Sequence, residues 1–241
     1  MRALLNAAAS DERTLLTSSP LNIKGGAREA CTLRKHLYSP TQVDALAAAM
    51  PAPYRALVLL LADAGLRINE ALALTRSSLV EREDGGMSVR VESSLHRAGR
   101  HLEPGPTKTA AGVRMVVLMA STATTMRAHL RHHVDEGPSA ILFPAPSGSG
   151  YARDTALTRL LTAGQDAAGI EIPDGHSGGW HALRHYSATR YEQAGATTHA
   201  LMTRYGWSDP AMAARYQRSD EDFERKVVAR MAERQAASLR G

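Results

Sequence analysis

His181-Ala182-Leu183-Arg184-His185 lies in a helix-period pattern that runs to about Gln193 and stops before Gly195. A histidine and an arginine three residues apart share one face of such a helix. Tyr216 follows 32 positions after Arg184, far enough to return to the same pocket from a later element. Tyrosine, arginine and histidine together point to chemistry on a phosphate: a nucleophile, a clamp and a proton handler. A lone His-x-x-Arg arises often by chance, so the reading turns on what the rest of the chain supplies.

Helical patterns surround this stretch. Ser39-Pro40-Thr41-Gln42 reads as a helix start, with Ser as N-cap, Pro at N1 and Gln at N3 of a capping box. That helix is predicted to end at Met50, before Pro51. Residues 54–64 are apolar on nearly all sides, which predicts a buried helix. Gly65 suits its left-handed C-terminal cap, and a further helix is expected over 68–74. The period then changes. Ser88-Val89-Arg90-Val91-Glu92 alternates, and Val113-Arg114-Met115-Val116-Val117-Leu118 is β-branched and apolar. Pro104-Gly105-Pro106 reads as a break between them. The expectation is a small antiparallel sheet with a loop or hairpin carrying Thr107-Lys108-Thr109.

Helices are predicted again over 121–134, 152–168, 198–205, 210–217 and 220–237, with 174–179 as a flexible approach to the His181 helix. Residues 1–36 read as a short helix over 2–12 and a polar linker through Gly25-Gly26. The fold class is mainly α with a small antiparallel β-sheet (α+β).

The 241 residues fit one large domain, or one domain plus a fragment. A hydrophobic share of 44% can build a core, and an aromatic share of only 5% makes that core mostly aliphatic. The net charge of +5 favours a polyanionic partner, nucleic acid ahead of a membrane, although a slightly basic soluble protein accounts for it equally. Lysines are confined to Lys24, Lys35, Lys108 and Lys226, so a lysine in a chosen place is less apt to be filler. Cys31 is the only cysteine, which rules out an internal disulfide and favours a reducing compartment. The longest apolar run, 56–62, is too short to span a bilayer, and the start of the chain has no signal-peptide pattern. A cytoplasmic, nucleoid-associated protein with no membrane partner is expected.

Arg67 opens the helix after Gly65, with Glu70 one turn on. The pair reads either as a surface ion pair of little worth or as an arginine that holds an anion at a helix start. Lys108 is an exposed loop lysine, or a mobile proton donor to a leaving oxygen. His181 and His185 have the spacing of helical metal ligands. Ala182 stands where a zinc protease needs Glu, and no Cys or carboxylate cluster completes a set, so neither metal nor cofactor is expected. His185 reads as a packed helix residue. Tyr216 is a weak nucleophile unless cations favour its phenolate or a base takes its proton. Arg67, Arg184 and His181 are the candidates for that environment.

In their order along the chain, these segments resemble the catalytic domain of the tyrosine recombinase (phage integrase) family. Tyr38-Ser39-Pro40-Thr41-Gln42-Val43-Asp44 resembles its opening helix, and Ala64-Gly65-Leu66-Arg67-Ile68-Asn69-Glu70-Ala71-Leu72 the box with its first arginine. Pro106-Thr107-Lys108-Thr109 through Val113-Arg114 resembles the lysine hairpin, and His181-Ala182-Leu183-Arg184-His185 the second arginine box. Tyr205-Gly206-Trp207-Ser208-Asp209-Pro210, ending at Tyr216, resembles the segment with the last phosphate ligand and the nucleophile.

The resemblance implies that Tyr216 attacks a DNA phosphate and forms a 3′-phosphotyrosine link. Arg67 and Arg184 would hold the non-bridging oxygens, Lys108 would protonate the departing 5′ oxygen, and His181 would assist proton transfer. Glu70 and His185 would support these groups from behind. Trp207 stands where most members have His. An indole N–H donates a hydrogen bond but shuttles no proton, so Trp207 is expected as a phosphate ligand only.

The resemblance also sets the expected organisation: 1–36 as the last helix and linker of a DNA-clamping domain, and 37–241 as the catalytic domain with a tail helix. Phe223, Val227, Val228 and Met231 place apolar groups on that tail at helical spacing. They would pack on their own domain or on a neighbouring subunit. The partner would be double-stranded DNA, bound by a homotetramer, with a monomer in free solution. Two alternatives stay open, a non-catalytic DNA-binding relative and a type IB topoisomerase-like strand relaxer.

Overall fold

Ser39 begins the first helix as its local chemistry dictates. Its Oγ accepts the Gln42 N–H at 3.1 Å, and the Gln42 side chain accepts the Ser39 N–H at 2.9 Å. Helix α1 (Pro40–Ala49) ends at Met50, before Pro51. The computed structural model describes residues 33–99, 101–107, 109–148 and 150–216, together with 225, 228, 229, 231, 232 and 235. Two compact units divide the chain, Met1–Arg34 and Lys35–Gly241, and the site is built in the second. The predicted helix over 2–12 and its linker lie outside the described residues.

Helix α2 (Ala52–Ala64) is the centre of the core. Leu57, Val58, Leu60 and Leu61 are fully buried, and each contributes about 1.5–3 kcal/mol by leaving water. The helix packs against α1, α4 (Ala120–His132) and α6 (Trp180–Gln193). It closes on Gly65, in the left-handed region at φ 62°. Helix α3 (Ile68–Leu72) is two residues shorter than its pattern predicts, because the Leu74 carbonyl accepts the Leu142 N–H at 3.0 Å instead of extending the helix.

Three strands form an antiparallel sheet, β1 (Leu79–Glu81), β2 (Met87–Val91) and β5 (Arg114–Val117), with β2 in the middle. The register pairs Val89 with Val116 and Val91 with Arg114. The two strands expected from alternation are therefore partners. Pro104-Gly105-Pro106 departs from expectation. It lies within β4 (His101–Pro106), which pairs with β3 (Ser93–Ala98) so that Leu95 faces Pro104 and Ser93 faces Pro106. A two-stranded ribbon has an open edge on each strand, and prolines two residues apart turn their nitrogens to the same edge. No ladder hydrogen bond is lost there.

Helices α5 (Asp154–Ala167), α7 (Thr198–Tyr205) and α8 (Pro210–Ala214) complete the described elements around the site. The approach over 174–179 is tied down, contrary to its polar, glycine-rich composition. The Gly178 carbonyl accepts from the Tyr38 hydroxyl at 2.5 Å and from Gln165 at 2.8 Å. Helix α8 ends at Ala214, so Tyr216 lies in the turn beyond it, its N–H on the Ala213 carbonyl at 3.0 Å. On the predicted tail helix, Phe223 and Val227 lie outside the described residues, while Val228 and Met231 are helical and exposed. No helix among the described residues is long and apolar enough to cross a membrane.

Candidate active site

Arg184 is buried, and two of its five N–H donors are spent on backbone carbonyls. One terminal nitrogen donates to the Gly65 carbonyl and the other to the Tyr205 carbonyl, each at 2.6 Å. Both carbonyls are at helix C-termini closed by a left-handed glycine, Gly65 at φ 62° after α2 and Gly206 at φ 61° after α7. A helix C-terminus carries unpaired carbonyls and the negative end of the dipole. The arginine therefore satisfies two such ends at once and is fixed by them. Burial first, then the nearby Arg67 charge, pulls its pKa down to about 10, which leaves the side chain cationic at neutral pH.

Arg67 caps α3 and closes on Glu70. Its backbone N–H donates to one carboxylate oxygen at 2.9 Å and its guanidinium to the other at 2.6 Å. Glu70 is only 1% exposed, and Arg114 also donates to it, at 2.8 Å. This is no surface pair. Burial alone would raise the Glu70 pKa, but the hydrogen bonds and charges of Arg114 and Arg67 outweigh it and hold the carboxyl below its ordinary value. A five-residue helix adds little dipole. The positive charge at this corner is the Arg67 guanidinium, which remains 40% exposed.

His181 lies in the first turn of α6, on the same face as Arg184, and stays accessible to solvent. Partial burial of its ring, followed by the cations Lys35, Arg184 and Arg67, lowers its pKa. The imidazole is therefore neutral at neutral pH and able to accept a proton. His185, one turn on, sets its ring 5.2 Å from that of Tyr216.

Tyr205, Trp207 and Tyr216 form a stack. The Trp207 ring is 5.0 Å from Tyr205 and 5.3 Å from Tyr216, the latter pair within 13° of parallel. The Arg184 guanidinium carbon lies 5.4 Å from the Tyr205 ring and 5.6 Å from Trp207. Trp207 is buried, as part of a small apolar cluster with Ala188, Leu201, Tyr205 and Ala213, on which Tyr216 packs. Burial pushes the Tyr216 phenol up, and Arg184 and Arg215 offset only part of that rise. The expected cationic environment thus acts through Arg184 and an unforeseen neighbour, Arg215. The phenol is neutral in the free protein.

Lys108 lies outside the described residues. Around it, the Thr107 hydroxyl donates to the Thr109 carbonyl at 2.8 Å, and a short 3-10 turn follows at Ala110–Gly112. Contacts join Arg67 to Glu70 and Arg184 to Trp207 and Tyr216; the two groups feel each other through charge, with His181 inside the field of both arginines. Arg114 and Tyr205 belong to the same assembly and were not foreseen as such. The signal for Arg114 is a charged residue in phase with inward-facing Val116 on β5. Among the described residues no group of three or more His, Cys, Asp or Glu side chains is placed to hold a metal ion.

The sequence profile of the phage integrase family matches residues 37–222. The integrases of Mycobacterium phages FRAT1 and D29 are each 32% identical over 236 residues, which is 97% of this chain and 67% and 60% of theirs. The chain thus spans about two thirds or less of the length of these relatives. Among solved structures, the Tn1549 transposon integrase in complex with a circular intermediate DNA superposes with a TM-score of 0.73 at 20% identity, covering 95% of this chain and 76% of that one. The XerH site-specific recombinase bound to its difH substrate does so with a TM-score of 0.61 at 19% identity, over 94% and 61%. At such identities the likeness is one of fold.

Proposed function

The chain belongs to the phage integrase family, and from that premise we propose that it cuts and rejoins double-stranded DNA through Tyr216. The Tyr216 oxygen attacks a backbone phosphorus and passes its proton to neutral His181. The bond from phosphorus to the 5′ oxygen breaks, and the departing oxygen takes a proton from Lys108. A 3′-phosphotyrosine results. A 5′ hydroxyl of another strand then reverses the steps and releases the enzyme. The covalent link stores the bond, so the cycle needs no nucleotide.

Phosphoryl transfer depends chiefly on positioning and charge. Arg184 and Arg67 present fixed guanidiniums to the two non-bridging oxygens, and Trp207 offers its indole N–H to the same phosphate. The observation that carries this reading is the Arg184 guanidinium, held by two helix ends and lying against Trp207, which stacks in turn on Tyr216. Residues 37–241 act as the catalytic domain and 1–36 as the end of a second DNA-holding region. The active assembly is a tetramer on DNA.

The test is a library of nicked duplexes with randomised cores, in which loss of a short fragment traps the covalent adduct. Wild-type protein is expected to yield a gel-shifted adduct that enriches a defined core sequence, and Tyr216→Phe none. No adduct from the wild type, or an equal adduct from Tyr216→Phe, removes the assignment. Sedimentation with and without the enriched duplex reads the assembly state.

A further inference from the structure

Arg114 is a buried arginine with every part of its fork engaged. Its Nε donates to the Arg204 carbonyl, one terminal nitrogen to the Gly112 carbonyl and the other to Glu70, all at 2.8 Å. Three segments distant in sequence meet on this one side chain. Glu70 belongs to the Arg67 helix, Gly112 to the turn after the Lys108 loop, and Arg204 to the last turn of α7, which presents Tyr205 and Trp207. Close packing accompanies the hydrogen bonds. A Cβ added to Gly206 would sit 2.8 Å from the Ala111 carbonyl oxygen and 3.1 Å from Arg114, so the segments touch with no room for a side chain.

Glu70 has two cationic partners of different kinds. Arg67 is 40% exposed and faces the site, while the Arg114 side chain is 3% exposed and faces the interior. Glu70 Oε1 accepts from the Arg67 guanidinium, and Oε2 accepts from both the Arg67 backbone N–H and Arg114. The carboxylate can therefore hold Arg67 in one place only if it is itself held, and Arg114 is the group behind it.

Taking the phosphate-clamping role of Arg67 proposed above as given, we infer that Arg114 is a positioning residue for catalysis. It fixes Glu70, and through Glu70 the Arg67 guanidinium, in register with the turn that carries Trp207. A buried carboxylate deprived of this partner protonates more easily, and a neutral Glu70 releases Arg67. The defect therefore has a pH signature that a loss of fold does not have.

The experiment measures single-turnover adduct formation on the enriched nicked duplex for wild type, Arg67→Ala, Arg114→Met and the double variant, from acid to neutral pH. DNA affinity and melting are followed in parallel. Each single variant is expected to lose about 100-fold in rate, as removal of one preorganised donor does, with DNA affinity within about threefold. The double variant should be no slower than about threefold below the slower single, because both changes disable one element. In a His181→Gln background, where the histidine's own acid limb is absent and Arg67 and Arg184 still face Glu70, Arg114→Met should bring an acid limb back. Independent losses that multiply to about 10,000-fold, no acid limb in that background, or a wild-type rate in Arg114→Met overturn the inference. A wild-type rate in Arg67→Ala overturns instead the role given to Arg67. Should Arg114→Met not fold, Arg114→Lys enters the same cycle, since it keeps the charge beside Glu70 and gives up the carbonyl bonds.

Discussion

The Trp207 indole and the Tyr216 phenol lie 5.3 Å apart and within 13° of parallel, with the opposite face of the stack closed by Tyr205. Tyr216 sits in a turn after a five-residue helix, where the backbone alone leaves a ring free to swing. The stack supplies the missing restraint, at about 0.5–1.5 kcal/mol per aromatic pair beyond burial. Trp207 thereby has a task that histidine at this position would perform less well, since an imidazole covers less of the phenol.

This separates two substitutions. Trp207→Phe keeps a flat ring and loses the indole donor; adduct formation should fall by about tenfold, the worth of one hydrogen bond, with little change in melting. Trp207→Ala removes the platform as well. It should destabilise the protein by about 3–5 kcal/mol and lower the rate further. Melting curves beside adduct kinetics decide it, and a Phe variant as slow as the Ala variant would assign the effect to the N–H rather than the stack.

The His181 pKa is lowered from 6.5, and the sign of its consequences follows. Protonation is resisted in the folded state, so activity that needs the neutral ring should stay level through neutral pH and fall only in acid, below 6.5. The unfolded chain binds this proton first as pH drops, so stability also declines from 6.5 downward until the folded pKa is passed, and is unaffected above it. His181→Gln should abolish this acid limb of the rate profile and leave a slower, flatter one. A limb of unchanged position in His181→Gln would move the proton acceptor elsewhere.

What the sequence disclosed divides by the range of the physics involved. The capping box at Ser39 and Gln42, the Gly65 cap and the alternation of Ser88 to Glu92 depend on residues within one turn or one strand, and each is found where it was expected. The strand through Pro104 and Pro106 was not legible, because proline is tolerated there only on account of a ribbon edge that no local pattern reveals. Arg114 likewise reads as an ordinary strand arginine until Glu70, 44 residues earlier, is seen to meet it. The Arg67–Glu70 spacing was visible, but whether the pair was solvated or buried hung on that same distant partner.

Gly65 is constrained twice. Its φ of 62° disfavours any side chain, and a Cβ would overlap the Tyr205 ring. Gly65→Ala should therefore add about 1–2 kcal/mol of backbone strain to about 1–3 kcal/mol of overpacking. Because the Gly65 carbonyl holds Arg184, the rate should drop by more than the lost stability explains. Chemical denaturation and adduct kinetics at a temperature where the variant remains folded test both parts, and a stability loss without a rate loss would detach the cap from the clamp.

Arg184→Lys probes the fork itself. The guanidinium bonds the Gly65 and Tyr205 carbonyls through separate nitrogens, each at 2.6 Å, and retains donors for a phosphate. A lysine carries its charge on one nitrogen. It cannot span both carbonyls and still face the substrate. With a native pKa of about 10, Arg184 is charged throughout the working range, whereas the same burial favours a neutral lysine, so the variant loses the fork and part of the charge. The expected outcome is a single-turnover rate lowered by about 100-fold or more with DNA affinity within about threefold, because affinity comes mainly from the summed phosphate contacts elsewhere. Anisotropy titration on the enriched duplex beside adduct kinetics measures the two. Equal losses in affinity and rate would make Arg184 a binding cation rather than an oriented clamp.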